Sequence, residues 1–260
     1  MKKDPLLQKY IKPFVSIVIP VKDEEENVLP LYREIDAVFN SSPWQWECIW
    51  VDDGSTDGTL SCIKELSSKD HRNRYISFSR NEGQSAALCA GFSESKGDII
   101  ATLDGDGQND PADLPMLIAM IQEGKCDMAN GYRIKRRDGP VRRISSRIAN
   151  SFRNFATGRT IRDVGCSTRA FRRECVENLP NFKGMHRFFP TLVKMKGFVI
   201  AESKVNHRPR YRGSSKYSIG NRLWVGLFDT FGIFWLQKRA FSYHIECRSE
   251  NNDQRGNSSE

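Results

Sequence analysis

From Phe14 to about Asn130 the chain alternates short apolar runs with stretches of helical spacing, a rhythm that few architectures accept. The runs end at Pro20 (Phe-Val-Ser-Ile-Val-Ile-Pro), Val51 (Glu-Cys-Ile-Trp-Val), Ser79, Leu103 (Asp-Ile-Ile-Ala-Thr-Leu) and about Asn130. Between them, Leu31, Ile35, Val38 and Phe39 would share one helical face, and Leu114, Leu117, Ile118 and Ile121 another. A strand and a helix recurring about every 25 to 30 residues are the signature of right-handed β-α-β units in a mostly parallel sheet. The expected fold is α/β, a Rossmann-like sheet flanked by helices.

Ligands of such sheets bind outside the carboxyl ends of the strands, so the residues that follow each apolar run carry the function. Here they are acidic: Val21-Lys-Asp-Glu-Glu-Glu-Asn27, Asp52-Asp-Gly-Ser-Thr-Asp-Gly58 and Asp104-Gly-Asp-Gly-Gln108. No Gly-x-Gly-x-x-Gly follows the first strand and no Walker lysine loop occurs, which argues against a dinucleotide oxidoreductase or a P-loop NTPase.

Beyond Tyr132 the pattern loosens into what reads as a basic, loop-rich region up to about Arg222. The formal net charge of +8 hides this asymmetry, for residues 131–222 hold 23 Lys and Arg against five Asp and Glu. A stretch so basic implies an anionic partner: phosphate groups, an acidic membrane surface or nucleic acid. The segment Leu223 to Leu236 is apolar and aromatic, carries Asp229, and is flanked by Arg222 and Lys238-Arg239. It fits an amphipathic helix lying at a membrane surface, or else a core helix closing the domain. The division is an N-terminal extension over 1–13, a catalytic domain over 14–221, the amphipathic helix over 222–240 and a polar, disordered tail over 241–260.

Seven scattered cysteines without a Cys-x-x-Cys spacing argue against a disulfide framework or a zinc site. The N-terminus lacks the apolar run of a signal peptide, and no stretch reaches the roughly 18 apolar residues of a transmembrane helix. The expected location is therefore the cytoplasmic side of a membrane, held peripherally.

Two carboxylates one residue apart, Asp104 and Asp106, can share a hard divalent cation with diphosphate oxygens; Gln108 adds an oxygen and the intervening glycines permit close approach. Alone, such a pair is equally a solvated acidic turn. The turn Asp52 to Thr59 can present carboxylates to a nucleobase or ribose, while Ser55 to Asp57 serve as helix caps.

Taken together and in order, Ile17-Val-Ile-Pro-Val-Lys-Asp-Glu24, Val51-Asp-Asp-Gly-Ser-Thr-Asp-Gly-Thr59, Asn81-Glu-Gly-Gln-Ser-Ala-Ala87 and Leu103-Asp-Gly-Asp-Gly-Gln108 resemble the family 2 glycosyltransferases. Gly131-Tyr-Arg133, Asp163-Val-Gly-Cys-Ser-Thr-Arg-Ala-Phe171, Met185-His-Arg-Phe-Phe189 and His207-Arg-Pro-Arg-Tyr-Arg-Gly-Ser-Ser-Lys-Tyr217 are similar to the polyprenyl-phosphate subgroup. That subgroup includes dolichyl-phosphate mannose synthases and undecaprenyl-phosphate aminoarabinose enzymes. The resemblance covers roughly Phe14 to Arg239.

It implies a GT-A fold, a nucleotide-sugar donor, a polyprenyl-phosphate acceptor and Mg²⁺ or Mn²⁺ as cofactor. By position, Pro20, Glu24, Asp52 and Asp53 should line the nucleotide pocket. Asp104 should hold the ribose–diphosphate side, and Asp106 with Gln108 should ligate the metal. Arg133, Arg169, Arg212 and Lys216 fall where the family gathers positive charge around donor diphosphate and acceptor phosphate, with Arg133, Arg169 and Lys216 counted among the catalytic residues. Forked Arg donors and Lys point charges suit phosphate. Asp163 orients Arg133 or Arg169, or holds its loop; Cys166 and Ser167 read as loop packing.

A phosphate monoester has its second pKa near ~6 and attacks without a dedicated base. Relatives that glycosylate hydroxyls resemble one another in a Glu-Asp motif supplying that base, and this chain has no Glu-Asp dipeptide. Lys22 and Asp23 stand where the dolichyl-phosphate enzymes frequently have Tyr-Asn, and two further transmembrane helices of many relatives have no counterpart here. The chain therefore reads as a peripheral form or as a truncated, inactive one. Two other readings compete: a soluble family 2 enzyme acting on a saccharide hydroxyl in cell-envelope polysaccharide synthesis, and a nucleic-acid-binding module. Carboxylates at the strand ends would repel nucleic acid, so no nucleic-acid partner is expected. Homo-oligomerisation is left open.

Overall fold

The computed structural model describes residues 13–133, 161–209 and 222–241. The first stretch runs β1 (Phe14–Val21), α1 (Glu25–Asn40), β2 (Gln45–Asp52), α2 (Thr59–Lys69), β3 (Asn73–Ser77), α3 (Gln84–Glu94), β4 (Ile99–Thr102), α4 (Leu114–Gln122) and β5 (Met128–Arg133). The second adds β6 (Arg169–Arg172), α5 (Arg173–Val176), α6 (Phe189–Met195) and β7 (Ile200–Val205), and the third is one helix, α7 (Arg222–Arg239). Short 3-10 turns lie at Pro111–Asp113 and Met185–Arg187.

The strands form one seven-stranded sheet in the order β3-β2-β1-β4-β6-β5-β7. All pairings are parallel except those of β6, which runs antiparallel between β4 and β5. Helices cover both faces, which is why β1 and β2 read as continuous apolar runs rather than alternating ones. Successive side chains of a strand still point to opposite faces. Val15, Ile17 and Ile19 join one core with Leu31 and Ile35 of α1 and Leu117 and Ile121 of α4. Val18, Ile49 and Val51 join a second core with Leu88 and Phe92 of α3 and Phe189, Leu192 and Val193 of α6.

The stretch beyond Tyr132 is more regular than its sequence suggests. Two of the seven strands come from it, but β6 is only Arg-Ala-Phe-Arg and β7 is half-exposed at the sheet edge, so neither shows a readable apolar period. Helix α7 has one side packed on the domain and another side exposed. Thr230 and Ile233 are buried, Ile233 within the second core, while Phe228, Phe231 and Trp235 are 81%, 70% and 61% exposed. No described helix is long and apolar enough to cross a membrane. The six described cysteines are unpaired thiols.

Candidate active site

The loops that leave β1 and β2 are clasped together. Lys22 Nζ donates to Gly54 O at 2.8 Å, and the Asp23 N–H donates to Ser55 Oγ at 2.8 Å. Asp23 Oδ1 accepts from the Thr56 N–H at 2.7 Å, with Asp23 in the left-handed region (φ 48°). That conformation is tolerated by Asp and Asn and by few other residues, a physical reason for either to stand there. Glu24 donates its N–H to Thr59 Oγ1 and accepts from Asn27 Nδ2 at 2.6 Å. The N-cap of α2 is Gly58, without a side-chain cap bond; Asp57, just before it, accepts from the Thr59 N–H at 3.0 Å, while Ser55 and Thr56 serve the clasp.

Asp52 is buried and accepts from the Ser55 N–H (3.1 Å) and Ser77 Oγ (2.9 Å). Asp53, also buried, accepts from the backbone N–H groups of Glu82 (2.7 Å) and Gly83 (3.0 Å), so it grips the residues that open α3. Pro20 is half-buried at the end of β1.

Past β4, Asp104 is held from three sides. Gln84 Nε2 donates to its Oδ1 at 2.8 Å, Ser167 Oγ donates to its Oδ2 at 2.6 Å, and its own N–H donates to Asn109 Oδ1 at 3.2 Å. Burial and then the neighbouring Asp106 carboxylate push the Asp104 carboxyl above its ordinary range, against the Ser167 hydroxyl and the charges of Arg169 and Arg133. Gly105 lies so close to β1 that a Cβ there would stand 2.5 Å from Val21 Cγ1. Asp106 Oδ1 accepts from the Gln108 N–H at 3.1 Å, and Gln108 O accepts from the Arg208 N–H at 2.9 Å. Arg208 in turn pairs with Glu34 (2.6 Å) and Asp110 (2.8 Å), pinning the segment after β7 to the acidic turn.

The antiparallel course of β6 brings the basic residues here. Its first residue, Arg169, pairs in register with Thr102, the last residue of β4, and with Asn130 of β5. Arg169 is buried: Nε donates to Asn130 Oδ1 (3.0 Å), Nη1 to His186 O (3.0 Å) and Nη2 to Val164 O (2.8 Å). Burial pulls its pKa down, and its fork is spent on protein oxygens. Arg133 instead meets Asp163 as a two-point pair, Nε to Oδ2 at 2.6 Å and Nη2 to Oδ1 at 3.0 Å. Burial would lower the Arg133 pKa, but Asp163 more than offsets it. His186 Nδ1 lies 2.8 Å from Ser85 Oγ; burial, then Arg187 and Arg169, hold its imidazole down to about 3.

Asp104, Asp106 and Gln108 offer oxygen donors on one turn, and no cluster of three or more His, Cys, Asp or Glu able to enclose a metal occurs among the described residues. An oxygen-only, incomplete shell fits a hard cation such as Mg²⁺ that completes its coordination with water and substrate phosphate. A carboxylate whose pKa is raised by the carboxylate beside it is likewise what a cation would relieve.

The family model for glycosyl transferase family 2 matches residues 16–179. The chain belongs to that family. It is 36% identical over 235 residues to the dodecaprenyl-phosphate galacturonate synthase of Rhizobium johnstonii, covering 89% of this chain and 70% of that protein. It is 37% identical over 205 residues to the undecaprenyl-phosphate 4-deoxy-4-formamido-L-arabinose transferase of Salmonella dublin, covering 78% of this chain and 62% of that protein. A solved glucosyl-3-phosphoglycerate synthase from Mycobacterium tuberculosis, crystallised with Mn²⁺, uridine diphosphate and phosphoglyceric acid, superposes with a TM-score of 0.67 at 17% identity, covering 92% of this chain and 82% of that one. At that identity the likeness carries the fold, which is of the GT-A type.

Within this family 2 fold the acidic and basic candidates converge. Asp104, Arg133 and Arg169 act on one another electrostatically, with Ser167 bonded to Asp104 and Asp163 to Arg133. Arg212 and Lys216 lie outside the described residues. Gln84, Ser85, Asn109, Ser167 and His186 were not singled out as site residues from sequence, although all but Asn109 fall in the motifs that carried the resemblance. Their signal is weak because uncharged side chains acquire meaning only from the partner they meet.

Proposed function

We propose that this family 2 protein transfers a sugar from a UDP- or GDP-linked donor to a polyprenyl phosphate at the cytoplasmic face of a membrane, inverting the anomeric centre. The observation that carries the proposal is the joint between Asp104 and Ser167, where the acidic turn after β4 meets the loop leading into β6 at 2.6 Å. Two phosphorylated reactants need both halves, cation-holding carboxylates for one and guanidinium charge for the other. Relatives named for transfer to dodecaprenyl and undecaprenyl phosphate support the acceptor class.

Asp106 and Gln108 would hold Mg²⁺ or Mn²⁺, which when bound supplies charge neutralisation to the departing nucleoside diphosphate. The residues of the chain do the rest. Asp52, Asp53, Pro20 and Glu24 shape the nucleotide side, and Asp104 receives the ribose–diphosphate side. Arg133, oriented by Asp163, faces the phosphate region, and Arg169 contributes a fixed buried charge to the local potential rather than a direct contact. Arg212 and Lys216, from their place in the motif, are assigned to the acceptor phosphate. The exposed aromatic side of α7, with Lys238 and Arg239 at its end, suits an anionic lipid surface.

The test is transfer of label from UDP- and GDP-sugars to undecaprenyl or dolichyl phosphate in the presence of Mg²⁺ or Mn²⁺, with a free saccharide as rival acceptor. Label should enter the organic phase, and Asp106→Asn should abolish transfer without unfolding the protein. Transfer to the saccharide alone would replace the lipid acceptor, and full activity of Asp106→Asn would remove the metal role.

A further inference from the structure

We infer that Gln84 and Ser167 are positioning residues that fix the Asp104 carboxylate as a rigid acceptor for the donor nucleotide, leaving the cation to Asp106. The inference rests on the nucleotide-sugar reading above and assigns work to two residues with no charge of their own.

Each oxygen of Asp104 carries one donor, Gln84 Nε2 on Oδ1 at 2.8 Å and Ser167 Oγ on Oδ2 at 2.6 Å. The donors come from opposite directions in the fold, one from the first residue of α3 and one from the loop entering β6. Ser167 is itself fixed. Its carbonyl accepts from Thr102 Oγ1 at 2.6 Å, and its single hydroxyl hydrogen goes to the nearer acceptor, Asp104 Oδ2 at 2.6 Å, rather than to Asn109 Oδ1 at 3.0 Å. A carboxylate pulled from both sides cannot turn to chelate a cation through both oxygens, but each oxygen keeps a lone pair for a ligand hydroxyl or amide.

Gln84 does a second thing by its place in the chain. The two residues before it, Glu82 and Gly83, give their N–H groups to Asp53 at 2.7 and 3.0 Å. The turn at the start of α3 thus ties together Asp53 and Asp104, the carboxylates assigned to the two ends of the donor, and sets the distance between them. Ser85, the next residue, bonds His186, so the same turn is braced against the loop that holds Arg169.

The experiment is equilibrium binding of UDP and GDP to the full-length protein, with Mn²⁺ and with EDTA, for wild type, Gln84→Leu, Ser167→Ala and Ser167→Thr, each also in an Asp104→Asn background. Urea midpoints of the same proteins report folding. A hydrogen bond to a charged group is worth about tenfold in binding. Gln84→Leu and Ser167→Ala should each weaken nucleotide binding about tenfold, equally with and without Mn²⁺, with threonine at 167 restoring most of it. In the Asp104→Asn background neither should have further effect. Undiminished binding by Gln84→Leu and Ser167→Ala, or equal losses in the Asp104→Asn background, would overturn the positioning role, the latter making the residues structural. A loss seen only with Mn²⁺ would overturn the division of labour between Asp104 and Asp106. Wild type that binds neither nucleotide would take down the nucleotide-sugar reading, and this inference with it.

Discussion

Acid should loosen the protein through His186, and the size of the effect can be worked from its surroundings. The imidazole meets Ser85 Oγ at 2.8 Å, its carbonyl receives Arg169 Nη1 at 3.0 Å, and burial followed by the charges of Arg187 and Arg169 brings its pKa from 6.5 to about 3. Above pH 6.5 the ring is neutral in both the folded and the unfolded chain and contributes no pH dependence. Between 6.5 and 3 only the unfolded chain takes up the proton, so stability falls as pH falls. At pH 5 the gap is about 1.5 pH units, or about 2 kcal/mol. The assay is urea unfolding of wild type and His186→Gln at pH 7.5 and pH 5, comparing free energies at equal slope. Wild type should lose about 2 kcal/mol more than the variant on acidification. The carboxylates, including Asp104, whose raised pKa acts with the opposite sign, are common to both proteins and cancel in the difference. Equal acid losses in the two proteins would refute a half-buried His186 that stays neutral in the folded chain.

Removing one member of the Arg133–Asp163 pair leaves the other charge in a largely buried place, so Asp163→Ala should cost about 3 kcal/mol in urea unfolding. Arg133→Lys should keep the fold but lose the two-point geometry, and transfer should drop at least tenfold, on the order of the worth of one charged hydrogen bond. Gly184 has φ 83°, and a Cβ there would stand 2.8 Å from Asp229 Oδ2; Gly184→Ala should therefore lower stability by about 1–2 kcal/mol, read as a shift in urea midpoint. Phe231→Ser combined with Trp235→Ser should change stability by no more than about 0.5 kcal/mol, because both rings are exposed, yet reduce flotation with anionic vesicles. Undiminished flotation would detach α7 from the lipid surface.

β1, β2 and β4 were legible because each is buried on both faces and written as an apolar run, with an acidic turn marking its end to within one residue, whereas β3 lies half-exposed at the sheet edge and showed only a short run. β6 and β7 were not legible. A four-residue strand bounded by Arg169 and Arg172 has no period to detect, and its residues are dictated by neighbours far along the chain, Thr102 and Asn130. At the site, charged candidates announced themselves, and the bond between Arg133 and Asp163 was among the roles read for Asp163. Arg169 differed in kind. Nothing in its sequence says that its donors face Asn130, Val164 and the His186 carbonyl, since an Arg that binds phosphate and one that braces loops are the same residue in different company. Ser167, read as loop packing, turned out to hold Asp104.

The reversed strand β6 also bears on how the molecule comes into being. As the chain emerges in order, β1 to β4 can assemble with α1 to α3, but β4 keeps a bare edge and β5 has nothing to bind until Arg172 has been made. Bare apolar edges recruit other chains. The part of the sheet that carries the acidic turns and the part built from β5 and β7 are therefore not two modules set side by side: a late-arriving ribbon welds them, and neither can be excised without opening a seam in the other.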